Sequence, residues 1–128
     1  MKFLPKFEPY TYAAMRIMFG FLFACHGISK VFVVLGGHHP VGLLAWSGAV
    51  IELAGGALIF LGLFTRCAAF ISSGEMAVGY FKFHQPHSLS PVSGLFPLVN
   101  HGELAVIYCF VALYIASRGA GKFGVDKS

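Results

Sequence analysis

The sequence has few charged side chains, with nine basic and five acidic residues among 128. Charged residues make up 11% of the chain, whereas an average soluble domain carries about 25%. A chain this short has a large surface for its volume and needs many polar groups to cover that surface in water. The shortage therefore excludes a disordered chain and an ordinary cytosolic enzyme.

Cysteine is also scarce and shows no ligand spacing. Cys25, Cys67 and Cys109 lie far apart in apolar surroundings, and no C-x-x-C pair occurs. This arrangement offers neither a disulfide framework nor a thiolate metal site. The lysines and arginines are not clustered on one polar stretch, as a nucleic-acid surface would require. We therefore predict no metal site and no nucleic-acid partner.

Proline is absent from four long apolar runs, which lie between its six occurrences. Because proline breaks helices, the runs predict helices over residues 12–34, 41–64, 67–83 and 101–117. Hydrophobic residues make up 57% of the chain, and the mean hydropathy is +0.76. A helix crosses a bilayer core with about 20 apolar residues. The sequence thus predicts an all-α protein, one integral membrane domain over residues 1–128, built as a four-helix bundle in the lipid bilayer.

Basic residues outside the apolar runs indicate how the bundle is oriented. The connections 36–40 and 84–100 contain no lysine or arginine. Cytoplasmic segments of membrane proteins are enriched in these residues. We therefore expect a multi-pass protein with both termini and the turn between the second and third helices in the cytoplasm. The residues that carry this prediction are Lys2, Lys6, Arg66, Arg118, Lys122 and Lys127.

Ionisable side chains interrupt the apolar runs themselves. A charge near the bilayer centre costs about 2.5–3.5 kcal/mol on insertion scales, so such groups are expected to face the bundle interior and find partners. Depth along each helix, at about 1.5 Å per residue, predicts a structural ion pair between Arg16 and Glu75. The same estimate pairs Lys30 with Glu103.

The remaining polar groups predict a ligand pocket in the outward half of the bundle. His26 and Lys30 are four residues apart, which places them on one side of the first helix. Glu52 has no full cation partner in this scheme, and His26 is its nearest candidate. The predicted ligand-binding residues are His26, Lys30, Glu52, His101 and Glu103. A haem held by His26 and His101 is the disfavoured alternative.

Short motifs are spread from Arg16 to Asp126. In chain order they are Arg16-Ile-Met-Phe-Gly20, His26-Gly-Ile-Ser-Lys30, Glu52-Leu-Ala-Gly-Gly56, Gly62-Leu-Phe-Thr-Arg66, Glu75-Met-Ala, Asn100-His-Gly-Glu103 and Arg118-Gly-Ala-Gly121 with Asp126. Taken together they resemble the DoxX family of small bacterial inner-membrane proteins. His101 departs from the family's pattern, in which a glycine is expected, and it adds a titratable group beside Glu103.

The resemblance implies a four-helix bundle in the bacterial inner membrane and an association with redox systems, since related proteins are linked to quinone-coupled sulfur oxidation. The leading hypothesis is a membrane subunit of a quinone-linked oxidoreductase that binds a quinone-like ligand in the outward pocket. Lys30 or His26 would donate a hydrogen bond to one carbonyl, and a neutral Glu52 to the other. Glu103 with His101 would relay protons, and a redox partner protein would supply electrons.

Two other functions stay open at this point. A scaffold subunit without chemistry would hold a partner enzyme through its termini and the 84–100 loop. A carrier for protons or a small solute would use the acidic residue on each of the second, third and fourth helices. Because four short helices show no inverted repeat, a carrier would have to be a homo-oligomer.

Overall fold

A computed structural model describes residues 1–84 and 96–127, and within these ranges the chain is helical, with no strand. The predicted all-α class is confirmed. The four long helices are α1 (Glu8–Phe32), α2 (Leu43–Leu61), α3 (Thr65–Gly79) and α5 (Glu103–Arg118). Shorter helical segments are a 3₁₀ turn (Leu4–Phe7), a π-helix (Tyr80–His84) that continues α3, and α4 (Pro97–Asn100).

Helix α1 begins at Glu8, four residues before the predicted start at residue 12. Pro9 lies in its first turn. The prediction kept every proline outside the helices, but a first-turn N–H has no partner inside the helix, so a proline there loses nothing. The connection between α2 and α3 is short. Helix α2 ends at Leu61 and is capped by the left-handed Gly62, and α3 begins at Thr65.

Three glycines bring α1 and α2 into backbone contact. A Cβ atom added to Gly56 would lie 2.7 Å from Ala24 Cα, and one added to Gly20 would lie 2.7 Å from Phe60 Cα. A Cβ atom on Gly27 would meet Leu53 Cα at 2.6 Å. Small residues allow membrane helices to approach this closely, since packing replaces the hydrophobic effect as the attraction between them.

The other helices complete the bundle. α2 packs on α3, and α3 packs on α5. α1 meets α5 through aromatic rings, with Phe19 and Phe23 each edge-on to Tyr108 at centroid distances of 5.2 and 5.7 Å. The two chain termini and the α2–α3 turn lie at one end of the bundle, called here the termini end. The opposite end, where α1 meets the 33–42 connection, is called the loop end.

Buried Arg16 joins three segments at the termini end. Its Nη1 atom donates to the carbonyl oxygens of Ile59 (2.6 Å) and Phe60 (2.9 Å) in the last turn of α2, where the Ile59 oxygen also accepts from the Gly62 backbone N–H. Its Nη2 atom donates to the Lys122 carbonyl oxygen at 3.1 Å. The Tyr12 hydroxyl adds a bond of 2.6 Å to the Gly119 carbonyl oxygen. The C-terminal tail is therefore tied to both α1 and α2.

Arg66 binds carbonyl groups at the C-terminal end of α5, as Arg16 does at the C-terminal end of α2. Its guanidinium donates to the carbonyl oxygens of Ala116, Ser117 and Arg118, at the C-terminal end of α5. Cations stabilise this end of a helix, because the last carbonyl groups lack partners inside it and carry partial negative charge. In the sequence Arg66 served as a topology signal and as the end of a family motif, and its contact with α5 is an addition from the structure.

The tail ends against the α2–α3 turn. The Asp126 carboxylate accepts hydrogen bonds from the backbone N–H groups of Phe64 (3.0 Å) and Thr65 (2.8 Å), and so caps α3 from a distant part of the chain. The backbone N–H groups of Val125 and Asp126 donate to the carbonyl oxygens of Leu61 and Gly62. We call this set of contacts the tail clasp.

The tail clasp is expected to open in acid. The hydrogen bond from the Thr65 backbone N–H, helped by that from Phe64, lowers the pKa of the Asp126 carboxyl below its ordinary value of 3.8. A lowered pKa in the folded state means that the stabilisation is complete above the ordinary value and is lost as the pH falls through the lowered one. Hydrogen exchange of residues 119–127, expressed relative to the intrinsic exchange rate of an unfolded chain at the same pH, should therefore accelerate below about pH 3.8.

Two variants check this expectation. Asp126→Ala should exchange rapidly in the tail at every pH, whereas Lys127→Ala should keep the pH dependence of the parent chain. A tail that exchanges at the same rate in Asp126→Ala and the parent at neutral pH would contradict the tail clasp.

Apolar side chains cover much of the outer surface. Phe21, Phe70 and Phe110 are examples, exposed by 52%, 66% and 65%. Within the described residues, two helical segments are long and apolar enough to cross a membrane, Leu4–Phe32 and Leu43–Leu61. α3 and α5 have 15 and 16 residues, and their predicted crossing of the bilayer stays a prediction.

Candidate functional site

An ion pair with a buried carboxylate and a partly exposed lysine joins α1 to α2 at the loop end. Lys30 Nζ lies 2.8 Å from Glu52 Oε1 and 2.9 Å from Oε2, so both carboxylate oxygens share one ammonium group. The Glu52 side chain is 4% exposed, whereas that of Lys30 is 39% exposed. Lys30 lies in the last turn of α1, where a cation is favoured by the helix dipole. The Lys30 side chain therefore forms the ion pair with Glu52 and also remains partly exposed.

Glu75 contributes a second carboxyl group from α3. Its Oε1 atom fills the space beside Gly48 on α2, lying 2.9 Å from where a Cβ atom on that glycine would stand. Its Oε2 atom is buried and has no hydrogen-bond partner in the described part of the chain. A buried polar atom without a partner is uncommon in proteins and calls for an explanation.

These three side chains line one cavity of about 700 Å³. Its walls are the 36–41 connection, the first half of α2, and the second half of α3 with Phe83 beyond it, while Ala105 of α5 lies at the back. Several apolar lining residues are exposed at the outer surface, among them Leu44 (51%), Ile71 (49%) and Val78 (47%). The cavity therefore has an apolar edge between α2 and α3, while the exposed side chains of His38 and His39 line its loop end.

The cavity combines groups of complementary chemistry. The Lys30 ammonium can donate three hydrogen bonds, and Glu52 accepts through two oxygens. Glu75 is the carboxyl group without a cation at hydrogen-bond distance, and it can hold or release a proton. The site thus offers a cationic donor and a protonatable group to a ligand that has two acceptor atoms.

Two predicted ion pairs are not formed among the described residues. Arg16 binds backbone carbonyl groups at the termini end, while Glu75 lies in the cavity at the loop end. Lys30 binds Glu52 rather than Glu103. The predictions matched side chains by depth along the helices, but the rotation of each helix about its axis decides which side chains meet.

The structure brings together Lys30 and Glu52 of the five predicted ligand-binding residues. His26 is exposed and lies edge-on to the Tyr108 ring at 5.8 Å. His101 and Glu103 are exposed at the start of α5. None of these three lines the cavity within the described ranges, so the predicted convergence on one pocket is wrong for them. Most of the 84–100 loop, residues 85–95, lies outside the described residues.

Glu75 lines the cavity, although the sequence predicted it to pair with Arg16 outside the ligand pocket. A usable signal was present on the facing helix, because Gly48 precedes Glu52 by four residues and so lies on the same side of α2. A glycine beside a buried carboxyl group leaves room for a side chain from a neighbouring helix. Glu75 fills this room.

The comparisons with known proteins identify the family of the chain. The family model named DoxX matches residues 12–85, which is more than half of the chain. The chain belongs to the DoxX family. A protein of Haemophilus influenzae, named only as an uncharacterized protein, is 41% identical over 137 aligned positions, covering 99% of this chain and 96% of the relative. No solved structure matches the chain.

Membership of the DoxX family and the two apolar helices identify a membrane protein. The matched segment contains α1, α2 and α3, and with them Lys30, Glu52 and Glu75. The cavity of this DoxX protein is therefore built almost entirely from the part of the chain that defines the family, with only Ala105 added from α5.

Proposed function

We propose that this DoxX protein is a four-span membrane subunit of a redox system, and that its cavity binds a lipophilic, quinone-like molecule. The observation that carries the proposal is the combination of Lys30, Glu52 and Glu75 in a cavity that has an apolar edge between α2 and α3, formed by Leu44, Ile71 and Val78. A membrane-dissolved ligand would reach the site sideways across this edge.

The polar groups match the needs of a quinone head group. A quinone has two carbonyl oxygens, and each requires a hydrogen-bond donor. In the proposed complex Lys30 donates to one carbonyl without leaving Glu52, and protonated Glu75 donates to the other. Reduction to the hydroquinone takes two electrons and two protons; a redox partner supplies the electrons, and Glu75 passes protons to the ring oxygens.

The distribution of basic residues supports a cytoplasmic position for the termini end. Lys2, Lys6 and Arg66 lie there, as do Arg118, Lys122 and Lys127 after α5. At the loop end the basic residues are Lys30, which is paired with Glu52, and Lys82. Under the positive-inside rule the cavity then lies in the outward half of the membrane.

The proposal is tested by ligand binding to the purified protein in lipid nanodiscs. Benzoquinones and naphthoquinones with short isoprenoid chains should raise the melting temperature of the parent protein. Glu75→Leu should weaken quinone binding by about tenfold, because the variant loses one hydrogen bond to the ligand. The variant should fold, because removing a carboxyl group that lacks a partner leaves no other group unsatisfied.

Glu103→Leu is the matched control, since it removes an exposed acidic residue outside the cavity. It should bind quinones as the parent does. The proposal fails if the parent binds no quinone, or if Glu75→Leu and Glu103→Leu bind equally well. Proton flux through liposomes without added quinone would favour the carrier function instead.

A further inference from the structure

A groove of about 480 Å³ lies on the outer surface between α3 and α5, and it shares no residue with the cavity between α2 and α3. We call it the α3–α5 groove. Its lining side chains are apolar except at one end, and all but one of them are exposed. The lining residues are Phe70 of α3 and Phe110, Leu113, Tyr114, Ala116 and Ser117 of α5.

The α3–α5 groove follows the axis of α5. Phe110, Leu113, Tyr114 and Ser117 are spaced by three and four residues, so they share one side of the helix. Between Phe110 and Ser117 the helix rises about 10 Å. Half of a bilayer core measures about 15 Å. The groove is therefore long enough for the first part of one acyl chain that enters the bilayer from the termini end.

Contacts between α3 and α5 bound the groove at both ends. Toward the loop end, Ser73 Oγ donates to the Cys109 carbonyl oxygen at 2.8 Å. At the termini end, Arg66 donates to the carbonyl oxygens of two lining residues, Ala116 and Ser117. Arg66 also precedes the lining residue Phe70 by four positions and so shares its side of α3. The guanidinium group therefore stands at the termini end of the groove.

The charge of Arg66 is not balanced by a carboxylate. Ion pairs in the described part of the chain are Lys30–Glu52 and Glu8–Arg118, and neither includes Arg66. A guanidinium group has five N–H donors, and the bonds to α5 use only Nη1 and Nη2. The Nε–H group takes no part in them, and the side chain is exposed. Arg66 can therefore still bind an anion.

We propose that the α3–α5 groove binds one anionic phospholipid, with its phosphate group on Arg66 and one acyl chain along Phe70 and Phe110. The apolar walls accept the chain, and the cation at the end favours a head group with net negative charge. The proposal uses the four-span arrangement proposed above, which places α3 and α5 in the bilayer, but it does not involve the quinone site.

The unbalanced charge also argues against a second copy of the chain as the occupant. In a two-fold symmetric dimer the same surface of each copy faces the other. Pairing through the α3–α5 groove would bring two Arg66 side chains toward each other, and their like charges would repel. A lipid phosphate provides the opposite charge instead.

Native mass spectrometry of the purified protein, titrated with lipid, tests the head-group contact. Dioleoylphosphatidylglycerol and dioleoylphosphatidylcholine have the same chains, but only the first carries a net negative charge. The parent should bind the first molecule of the anionic lipid at least about fivefold more tightly, the effect of one cationic contact. Arg66→Gln should abolish this preference. Lys82→Gln, which removes an exposed cation at the loop end, should keep it.

A second variant tests the chain and keeps the guanidinium group in place. Ser117→Trp fills the end of the groove beside Arg66, while the backbone carbonyl that Arg66 contacts remains. It should weaken binding of dioleoylphosphatidylglycerol by about tenfold, which corresponds to about two CH₂ groups that lose their burial. Leu61→Trp adds the same side chain at an exposed position of the termini end outside the groove and should bind as the parent does. Inorganic phosphate should not displace the lipid.

Several results would overturn the proposal. Equal affinity of the parent for both lipids excludes a head-group contact, as does a preference that survives in Arg66→Gln. Parent-like binding by Ser117→Trp, or displacement of the lipid by inorganic phosphate, shows that no chain occupies the groove. A parent dimer that Ser117→Trp converts to a monomer identifies the groove as a contact between copies. Quinone binding enters none of these measurements, so its failure would leave the lipid site standing.

Discussion

Gly56→Ala is expected to prevent stable packing of α1 on α2. The added methyl group would stand 2.7 Å from Ala24 Cα and 2.8 Å from the Gly20 carbonyl oxygen. Both are backbone atoms, so no side-chain rotation relieves the overlap and the helices must move apart. Overpacking usually costs about 1–3 kcal/mol, and we expect at least about 3 kcal/mol here because rigid backbones collide. Thermal unfolding in detergent, followed by circular dichroism, measures the loss.

Gly74→Ala is the matched control, because it makes the same substitution in a helix where the Cβ atom has free space. It should raise the stability by up to about 1 kcal/mol, through the better helix propensity of alanine. If both variants melt at the same temperature, α1 and α2 are not in the backbone contact described above.

Breaking the Lys30–Glu52 pair is expected to have the second largest effect. Lys30→Met removes the only cation bonded to Glu52 within the described residues and leaves a carboxyl group that is 4% exposed. Removing one partner of a buried pair strongly destabilises proteins because the other charge stays buried. We expect a loss of about 3 kcal/mol. The same unfolding measurement applies.

The double variant Lys30→Met with Glu52→Leu should regain most of this stability, since no uncompensated charge remains. Lys82→Met, which removes an exposed lysine beyond α3, should melt as the parent does. A double variant no more stable than Lys30→Met would show that the pair has little importance for the fold. The stable double variant is expected to bind quinone more weakly than the parent does, because it lacks the Lys30 ammonium donor. This result would separate the role of the Lys30–Glu52 pair in folding from its role in binding.

The helices of this protein were predictable from its sequence, because proline and apolar length are local properties. Pro40 stands directly before the second predicted run, residues 41–64, within which α2 forms. The run was predicted to continue past Gly62, where the left-handed backbone ends α2. Even so, the same reasoning placed the start of α1 too late, since it did not allow for Pro9 in the first turn.

The partners of the ionisable residues were not predictable in the same way. Arg16 binds Ile59 and Phe60 through their carbonyl oxygens, which every residue possesses, so side-chain identity gives no sign of the contact. Glu75 was assigned to Arg16 by depth, and only the rotation of α3 turns it toward Gly48. Depth along a helix is readable from residue number, whereas rotation depends on the packing of all neighbours.

The tail clasp also determines when the bundle can be finished during synthesis. Val125 and Asp126 follow all four long helices in the chain and so leave the ribosome after them, yet they bond to the turn that connects α2 and α3. Until they emerge, the first backbone N–H groups of α3 lack the carboxylate, and Arg16 lacks the Lys122 carbonyl oxygen. The tail clasp therefore forms only after all four long helices have been synthesised, and it completes the bundle at the termini end.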